Sequence, residues 1–214
     1  SGGKARRHLA AAHGGASGMT QVALIRHAAS VWNEQALIQG TSDPPLSPAG
    51  AAAAARWRVP AVLAGFQWVA SPLARARETA RILVGREVAV EPALAEMAWG
   101  AWEGRRLADL RCQLGAAMEE NEARGLDFRP PGGESPREVQ RRLMPWLARV
   151  AAGGSTTAAV THKGVIRAML GLATGWDFLA KPPVKLAAAS AQLFDLDAGG
   201  AVQLVRANIP LVAP

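Results

Sequence analysis

Short apolar segments alternate along this chain with longer segments whose apolar residues recur at helical spacing. Six segments have the length, the apolar content and the polar or turn-forming borders that are typical of strands. They are residues 21–25, 67–70, 88–90, 158–161, 191–196 and 202–206. The alternation of strands with helices predicts a mostly parallel sheet with helices on both faces, because parallel strands need crossover connections.

Four helices are predicted in the intervals, over residues 48–58, 73–84, 135–150 and 165–172. Ser47 before Pro48, and Ser135 before Pro136, combine a favourable N-cap residue with a proline at the first helical position. Glu134 is interpreted as a further cap of the helix that follows Ser135.

The pattern therefore predicts the α/β class, as a three-layer α/β/α sandwich around a mostly parallel sheet. The last two strands flank Ala198-Gly199-Gly200, which predicts a late antiparallel hairpin. Residues 99–130 are predicted to be mostly helical, with polar interruptions, and to form a small cap beside the carboxyl ends of the strands. In sheets of this kind, ligands bind beyond those strand ends.

Length and composition agree with one domain. The chain has 214 residues, of which 50% are hydrophobic and 19% are charged, so it can bury a core. Regular patterning starts only after Met19, and residues 1–18 are rich in Gly, Ala and Ser, which indicates an expression tag or a disordered leader. We expect a single domain over residues 19–214.

Charge, cysteine content and hydropathy narrow the classes of function. The formal net charge is +7, but Lys4, Arg6 and Arg7 contribute three of these charges, and no basic stripe is interleaved with aromatic residues. We therefore expect no nucleic-acid partner. The single cysteine, Cys112, cannot form an intrachain disulfide or a thiolate metal site. No apolar run approaches the roughly 20 residues of a membrane span, so we expect a cytoplasmic enzyme without a membrane partner; a homodimer is left open.

Charged and polar side chains follow four of the predicted strands. Arg26 and His27 come directly after the first strand. Arg75 follows the second strand, Glu96 the third and His162 the fourth. Because the carboxyl ends of parallel strands share one edge of a sheet, we expect these five side chains to converge.

These residue types suit phosphoryl transfer. A histidine can be a covalent nucleophile, and an arginine presents a planar, permanently charged fork to phosphate oxygens. A second histidine can donate a hydrogen bond to the developing charge, and a carboxyl group with a raised pKa can protonate the leaving alkoxide. This chemistry needs no metal, and no residue spacing is typical of a metal site, so we expect no metal and no cofactor.

Six segments, in this order, resemble the signature motifs of the histidine phosphatase (phosphoglycerate mutase-like) superfamily. They are Leu24–Asn33, Gln39–Ser47, Ser71–Ala80, Glu96–Gly104, Gly132–Ser135 and Thr161-His162. The resemblance covers nearly all of the chain after Met19 and implies a phosphoglycerate mutase-like fold.

The resemblance also implies roles for individual residues. His27 would be the nucleophile, forming a phosphohistidine, and Glu96 would be the general acid. Arg26, Arg75 and His162 would form the phosphate pocket.

Further residues receive less specific roles. By the same resemblance, Ser30, Asn33 and Gln39 would lie near the phosphate or the rest of the substrate. Glu103 and Arg77 are interpreted as scaffold or surface charges.

The sequence departs from the family pattern at two positions. Ala28 replaces the usual glycine after the nucleophile, which costs energy if the backbone there has a positive φ or must approach the phosphate closely. Lys163 replaces the usual glycine after the second histidine. It could bind a second anionic group of the substrate or point to solvent, and both alternatives stay open.

Hydrolysis of a small-molecule phosphate ester is the favoured reaction. Met97 and Trp99 stand where the resembling mutases carry an arginine and a tyrosine for a carboxylate, and the cap is short. Together with Trp102 and Trp32, these two residues are interpreted in two ways: as contacts for an apolar leaving group, or as packing between the cap and the sheet. The alternatives are a phosphoglycerate mutase-type phosphoryl transferase and a pseudophosphatase that binds without turnover.

Overall fold

A six-stranded sheet forms the centre of the computed structural model, which describes residues 19–212. The strands are β1 (Thr20–Arg26), β2 (Gln67–Ala70), β3 (Ala89–Val90), β4 (Thr157–Thr161), β5 (Ser190–Leu196) and β6 (Val202–Pro210). Their order across the sheet is β3-β2-β4-β1-β5-β6. The leader predicted over residues 1–18 lies outside the described residues.

Strand pairing confirms the predicted fold class. β1 pairs in parallel with β4, and β2 pairs in parallel with both β4 and β3. β5 runs antiparallel to β1 and to β6, which makes the late hairpin.

Seven α-helices lie within the described part of the chain. They are α1 (Val31–Glu34), α2 (Pro48–Ala54), α3 (Ala74–Val84), α4 (Leu107–Leu114), α5 (Ala116–Glu122), α6 (Pro136–Gly153) and α7 (Lys163–Thr174). Short 3-10 helices occupy Ala61–Leu63, Pro92–Leu94, Gly100–Trp102 and Gly125–Asp127. Within residues 19–212, no helix is both long and apolar enough to cross a membrane.

Several predicted helix boundaries were wrong. The helix predicted to end at residue 150 ends at Gly153, and the one predicted to end at residue 172 ends at Thr174. The first helix ends at Ala54 rather than at residue 58. The chain forms a tighter turn there, in which Trp57 N donates to Ala54 O, three residues earlier. The Trp57 ring packs in the core. The last helix begins at Lys163 rather than at residue 165, because His162 takes the N-cap position.

The N-caps of α2 and α6 are Ser47 and Ser135, as predicted, but Glu134 does not cap α6. The capping-box partner of Ser135 is Glu138, three residues later. Glu134 instead accepts a hydrogen bond from Ala98 N at 3.0 Å and forms an ion pair with Arg142 at 2.9 Å.

The core has two halves, one on each face of the sheet. In β1, Ala23 and Ile25 face the half that α2 and α3 cover, whereas Val22 and Leu24 face the half that α6 and α7 cover. A central parallel strand that is buried on both faces carries apolar residues at consecutive positions, and β1 has this pattern. These layers form the predicted α/β/α sandwich.

The carboxyl ends of the central strands lie at one edge of the sheet. His27 N donates to Thr161 O at 2.9 Å, which continues the β1–β4 ladder by one residue. Ser71 N donates to Val160 O at 2.9 Å, so the chain leaves β2 beside the same end of β4. This edge holds the chain segments that carry the predicted site.

Helices α4 and α5 form the cap above this edge, within the predicted range 99–130. They share a small apolar cluster of Trp102, Leu110 and Met118, against which Trp99 and Phe128 pack. The cap therefore has its own apolar centre.

Gly50 packs against the loop that follows His27, and a substitution at Gly50 tests this contact. A Cβ atom at residue 50 would lie 1.9 Å from Ala29 O, two residues after His27. We expect Gly50→Ala to lower the free energy of unfolding by about 1–3 kcal/mol, because the loop must move. The measurement is urea unfolding followed by tryptophan fluorescence.

The matched control is Gly153→Ala, in the last turn of α6, where an added Cβ meets no atom within 4 Å. It should match the wild type or exceed its stability by up to about 1 kcal/mol. Equal stability of the two variants would contradict the packing argument.

Candidate active site

His27 is buried at the end of β1, with only 6% of its surface exposed. Its Nδ1 lies 2.6 Å from the carbonyl oxygen of Ala28. A carbonyl oxygen only accepts hydrogen bonds, so Nδ1 carries the proton and Nε2 keeps its lone pair. Burial, followed by the positive charges of Arg26 and Arg75, lowers the pKa of His27 to about 3. The imidazole is therefore neutral and ready for nucleophilic attack over the whole physiological pH range.

His162 lies beside His27, with 5.0 Å between the ring centroids. It is fully buried, and its Nε2 lies 2.6 Å from Ser71 Oγ. Its Nδ1 is buried and has no hydrogen-bond partner. If the Ser71 hydroxyl donates to Nε2, Nδ1 carries a proton that a phosphate oxygen can accept. Burial, and next the neighbouring His27, lower the pKa of His162 well below its ordinary value.

Arg75 is a fully buried cation on α3 that the loop after α1 holds in place. Its two terminal nitrogens donate to Ser42 O at 2.8 Å and to Gly40 O at 2.9 Å, and Asp43 Oδ1 lies 3.4 Å away. Its Nε is buried without a partner. Burial lowers the pKa of Arg75 and of Arg26, but an arginine remains charged after such shifts.

Glu96 lines the same cleft as His27. Its carboxylate accepts hydrogen bonds from Met97 N at 2.9 Å and from Gly164 N at 3.3 Å. Burial raises the pKa of Glu96, against the opposing effect of these hydrogen bonds and of Arg75 and Arg26. A carboxyl group with a raised pKa can hold a proton for a leaving group.

Glycine is required next to this carboxyl group. A Cβ atom on Gly164 would lie 2.4 Å from Glu96 Oε1. The sequence analysis did not single out Gly164; its signal was the glycine two residues after His162.

Four of the five predicted catalytic residues line one space. Arg26, His27, Arg75 and Glu96 line a cleft of about 270 Å³. His162 does not line this cleft but packs against His27, with 5.0 Å between the ring centroids. The remaining lining residues are Asn33, Ala36, Leu37, Ile38, Gln39, Gly40, Trp99, Leu107, Lys163, Gly164 and Arg167.

The predicted substrate-binding residues divide into two groups. Asn33, Gln39 and Lys163 line the cleft. Ser30 does not: it is fully buried as the N-cap of α1, and its hydroxyl donates to Gln39 Oε1 at 2.8 Å. Ser30 thus holds the side chain of Gln39, which lines the cleft.

Ala28 fits the position that usually holds glycine. Its φ angle is not positive, so the alanine carries no backbone penalty. Ala28 N donates to Thr79 Oγ1 at 3.1 Å, and Thr79 Oγ1 donates to Arg75 O at 2.7 Å. The threonine therefore connects the nucleophile loop to α3.

Glu103 joins the loop that holds Arg75 to the loop that carries Glu96. Its carboxylate accepts from Thr41 N at 2.9 Å, Ser42 N at 2.7 Å and Trp99 N at 3.0 Å. Although burial opposes its ionisation, these hydrogen bonds and that of the Ser42 hydroxyl hold the pKa of Glu103 below its usual value. Glu103 is thus part of the scaffold, as interpreted from the sequence.

The apolar residues near the cleft both pack and line it. Met97 is buried in the core beneath α7, and Trp102 belongs to the cap cluster. Trp99 lines the cleft and packs edge-on against Phe128, with ring centroids 5.7 Å apart.

Arg167 is the residue that the sequence analysis missed. It lines the same cleft as Lys163, which lies one helical turn earlier on α7. Because the helix was predicted to begin at residue 165, Lys163 and Arg167 were not recognised as neighbours on one helical face. Their spacing of four residues was the available signal.

The described residues offer no alternative metal centre, since within residues 19–212 no three His, Cys, Asp or Glu side chains are grouped so that they could hold a metal ion. The cleft is instead lined by a neutral histidine, two arginines and a carboxyl group whose pKa burial raises. A family model of the histidine phosphatase superfamily (branch 1) matches residues 22–210. The chain belongs to the histidine phosphatase superfamily.

Relatives within this superfamily include both hydrolases and mutases. A bifunctional protein of Mycobacterium tuberculosis is 31% identical across 87% of this chain, but the match covers 53% of that protein. The chain thus spans about half the length of this curated relative. A 2,3-bisphosphoglycerate-dependent phosphoglycerate mutase of Beijerinckia indica is 28% identical over 84% of this chain and 93% of the mutase. The solved phosphoserine phosphatase of Entamoeba histolytica, in complex with 3-phosphoglyceric acid, has 27% identity and a TM-score of 0.73, and covers 89% of this chain and 97% of its own.

The hydrogen bonds of Glu103 predict that this side chain positions the two loops that it joins. Glu103→Gln keeps the shape of the side chain, but its amide group cannot accept all three backbone N–H groups. We expect kcat/KM for an aryl phosphate to fall about 10- to 100-fold, because the Arg75 loop and the Glu96 loop lose their common anchor.

Glu87→Gln is the control, because Glu87 is an exposed carboxylate that lies 3.9 Å from Arg81 and does not line the cleft. Its kcat/KM should stay within about twofold of the wild type. If Glu103→Gln behaved like Glu87→Gln, Glu103 would be no more than a surface charge.

Proposed function

We propose that this protein is a metal-independent phosphomonoester hydrolase that acts through a phosphohistidine on small phosphorylated metabolites. The observation that carries the proposal is the state of His27. Its proton is fixed on Nδ1 by Ala28 O, which leaves the lone pair on Nε2, its pKa is about 3, and it lines a cleft together with Arg26 and Arg75. A neutral, buried imidazole among permanent cations suits attack on a phosphate ester.

In the first step, the lone pair of His27 Nε2 attacks phosphorus, and the bond from phosphorus to the ester oxygen breaks. The leaving oxygen takes the proton of Glu96, so the alcohol departs neutral and Glu96 becomes a carboxylate. Arg26, Arg75 and the Nδ1 proton of His162 stabilise the charge on the three equatorial oxygens.

In the second step, water attacks the phosphorus of phosphohistidine, and the bond from Nε2 to phosphorus breaks. The Glu96 carboxylate takes a proton from this water, which restores its acid form. Inorganic phosphate leaves, and His27 returns to its neutral state. The same carboxyl group serves as acid and then as base, as the symmetry of the two half-reactions requires.

Hydrolysis is favoured over phosphoryl return to a bound substrate. Met97, at a position where the resembling mutases carry a group for a carboxylate, is 5% exposed and belongs to the core beneath α7. Trp99 at the second such position presents an apolar ring to the cleft. Presence of both mutases and phosphatases among the relatives makes the mutase the second candidate, detectable as transfer to 3-phosphoglycerate.

Loss of His27 tests the proposal directly. The wild type should release phosphate from para-nitrophenyl phosphate in the presence of a chelator, and His27→Ala should retain less than about a thousandth of that rate. Acid-labile, base-stable phosphate should become attached to the wild type and not to the variant.

Cys112→Ser is the control for a thiol-based activity, because Cys112 is exposed and does not line the cleft. It should keep the full rate. If the wild type released no phosphate from a panel of natural esters, the hydrolase proposal would be overturned in favour of the mutase or a binding module.

The raised pKa of Glu96 predicts the pH dependence. The general acid must be protonated in the free enzyme, so kcat/KM should be high at mildly acidic pH and fall as the pH rises through the pKa of Glu96. His27 has a pKa of about 3 and stays neutral above it, so its protonation should not cause a decline at mildly acidic pH.

Glu96→Gln should remove this alkaline decline and lower kcat for an alkyl phosphate by about 10²- to 10⁴-fold. The loss should be smaller for an aryl phosphate, whose leaving group needs less protonation. Glu120→Gln, an exposed substitution on α5, should keep the wild-type profile. An unchanged alkaline decline in Glu96→Gln would assign the general acid to another group.

A further inference from the structure

Two cations on α7 face the cleft but are not needed for the transferred phosphoryl group. Lys163 and Arg167 are four residues apart on this helix, so their side chains leave the same face. Both line the cleft that holds His27. The phosphoryl oxygens are already served by Arg26, Arg75 and His162.

Arg167 lies beside a pair of aromatic rings. Its guanidinium carbon lies 5.1 Å from the ring centroid of Trp176 and 5.5 Å from that of Phe178. These two rings stack on each other with centroids 3.9 Å apart. Attraction between the cation and the rings limits the orientations of the Arg167 side chain, which reduces the entropy lost on binding an anion.

Arg167 is also without a partner for its charge. Its Nε is buried and makes no hydrogen bond, and among the described residues no carboxylate forms an ion pair with Arg167 or Lys163. Glu96 is the carboxyl group whose charge acts on both cations, and the raised pKa of Glu96 favours its neutral form. A partly desolvated cation without a partner is unfavourable in the empty protein, and an anionic ligand would relieve that cost.

Arg167 lies between the His27 cleft and a second cavity, so its position indicates where the leaving group of a substrate would extend. A second cavity of about 310 Å³ lies between the cap and α7, and Arg167 lines both this cavity and the His27 cleft. Trp99, Leu107 and Gly164 are the other residues shared by the two. The leaving group of an ester in the His27 cleft would therefore pass Arg167 on its way into the second cavity.

We propose that Lys163 and Arg167 form a second anion-binding subsite, which selects phosphomonoesters whose leaving group carries a carboxylate or another acidic group. The subsite rests on the proposed hydrolase function for its kinetic test. It assigns Lys163 the first of the two alternatives that its position after His162 left open.

Two aryl phosphates of nearly equal size test the subsite: 4-carboxyphenyl phosphate and 4-carbamoylphenyl phosphate. The wild type should prefer the carboxylate ester, mainly through KM. Arg167→Gln should lower kcat/KM for this ester about tenfold, as expected for the loss of one charge-assisted hydrogen bond. The same variant should leave the carbamoyl ester within about twofold of the wild type.

Three further variants sharpen the measurement. Lys163→Met should lose part of the preference for the carboxylate ester, and Arg167→Lys should give an intermediate value, since a point charge replaces a planar fork. Arg141→Gln removes one charge from an exposed position that lines neither cavity, so it should change neither ester. Equal losses for both esters in Arg167→Gln would show a structural role and overturn the subsite, while hydrolysis itself would stand.

Binding separates this inference from the hydrolase proposal. In the His27→Ala background, calorimetric titration should show tighter binding of the carboxylate ester than of the carbamoyl ester, and Arg167→Gln should abolish the difference. This result would support the subsite even if the wild type released no phosphate. Equal affinities for the two esters in His27→Ala would overturn it.

Discussion

The parallel pairing of β1 with β4 fixes the geometry on which the site depends. One hydrogen bond beyond the ladder, from His27 N to Thr161 O, places the two histidines on adjacent strand ends with their rings 5.0 Å apart. The bond from Ser71 N to Val160 O brings the end of β2 to the same height. Because backbone hydrogen bonds set these positions, the reactive imidazoles need few side-chain contacts to stay in place.

Burial then determines the protonation states at this edge. It lowers the pKa of His27 and His162 and raises that of Glu96, so all three groups favour their neutral forms. The arginines stay charged because their intrinsic pKa is so high. The same desolvation thus favours the neutral imidazole of His27 and raises the pKa of Glu96, while the two arginines beside them stay charged.

Much of this arrangement could be predicted from the sequence, because it depends on strand ends. The apolar run before Arg26 and the one before His162 predict buried strands, and parallel strand ends meet at one edge. Side-chain contacts between distant segments could not be predicted in this way. The hydrogen bond from Ser30 to Gln39 and the one from Ala98 N to Glu134 depend on how the loops pack. The periodicity of apolar residues carries no information about that packing.

A two-residue error in the predicted start of α7 had a large effect on the predicted site. Moving the start of α7 from residue 165 to Lys163 puts Lys163 and Arg167 on one face and creates the cationic wall of the cleft. The N-cap position of His162 decides that start, and it has no side-chain capping bond by which the sequence could reveal it.

The cap is attached to the sheet domain through carboxylates at both of its ends. Glu103 binds Thr41, Ser42 and Trp99 where the cap begins, and Glu134 binds Ala98 N and Arg142 where it returns. Between these anchors, Leu107 and Arg111 on α4 and Glu122 on α5 line the second cavity. Sequence changes on these two helices would therefore reshape that cavity, whereas the strand ends that carry His27 and His162 are set by the sheet.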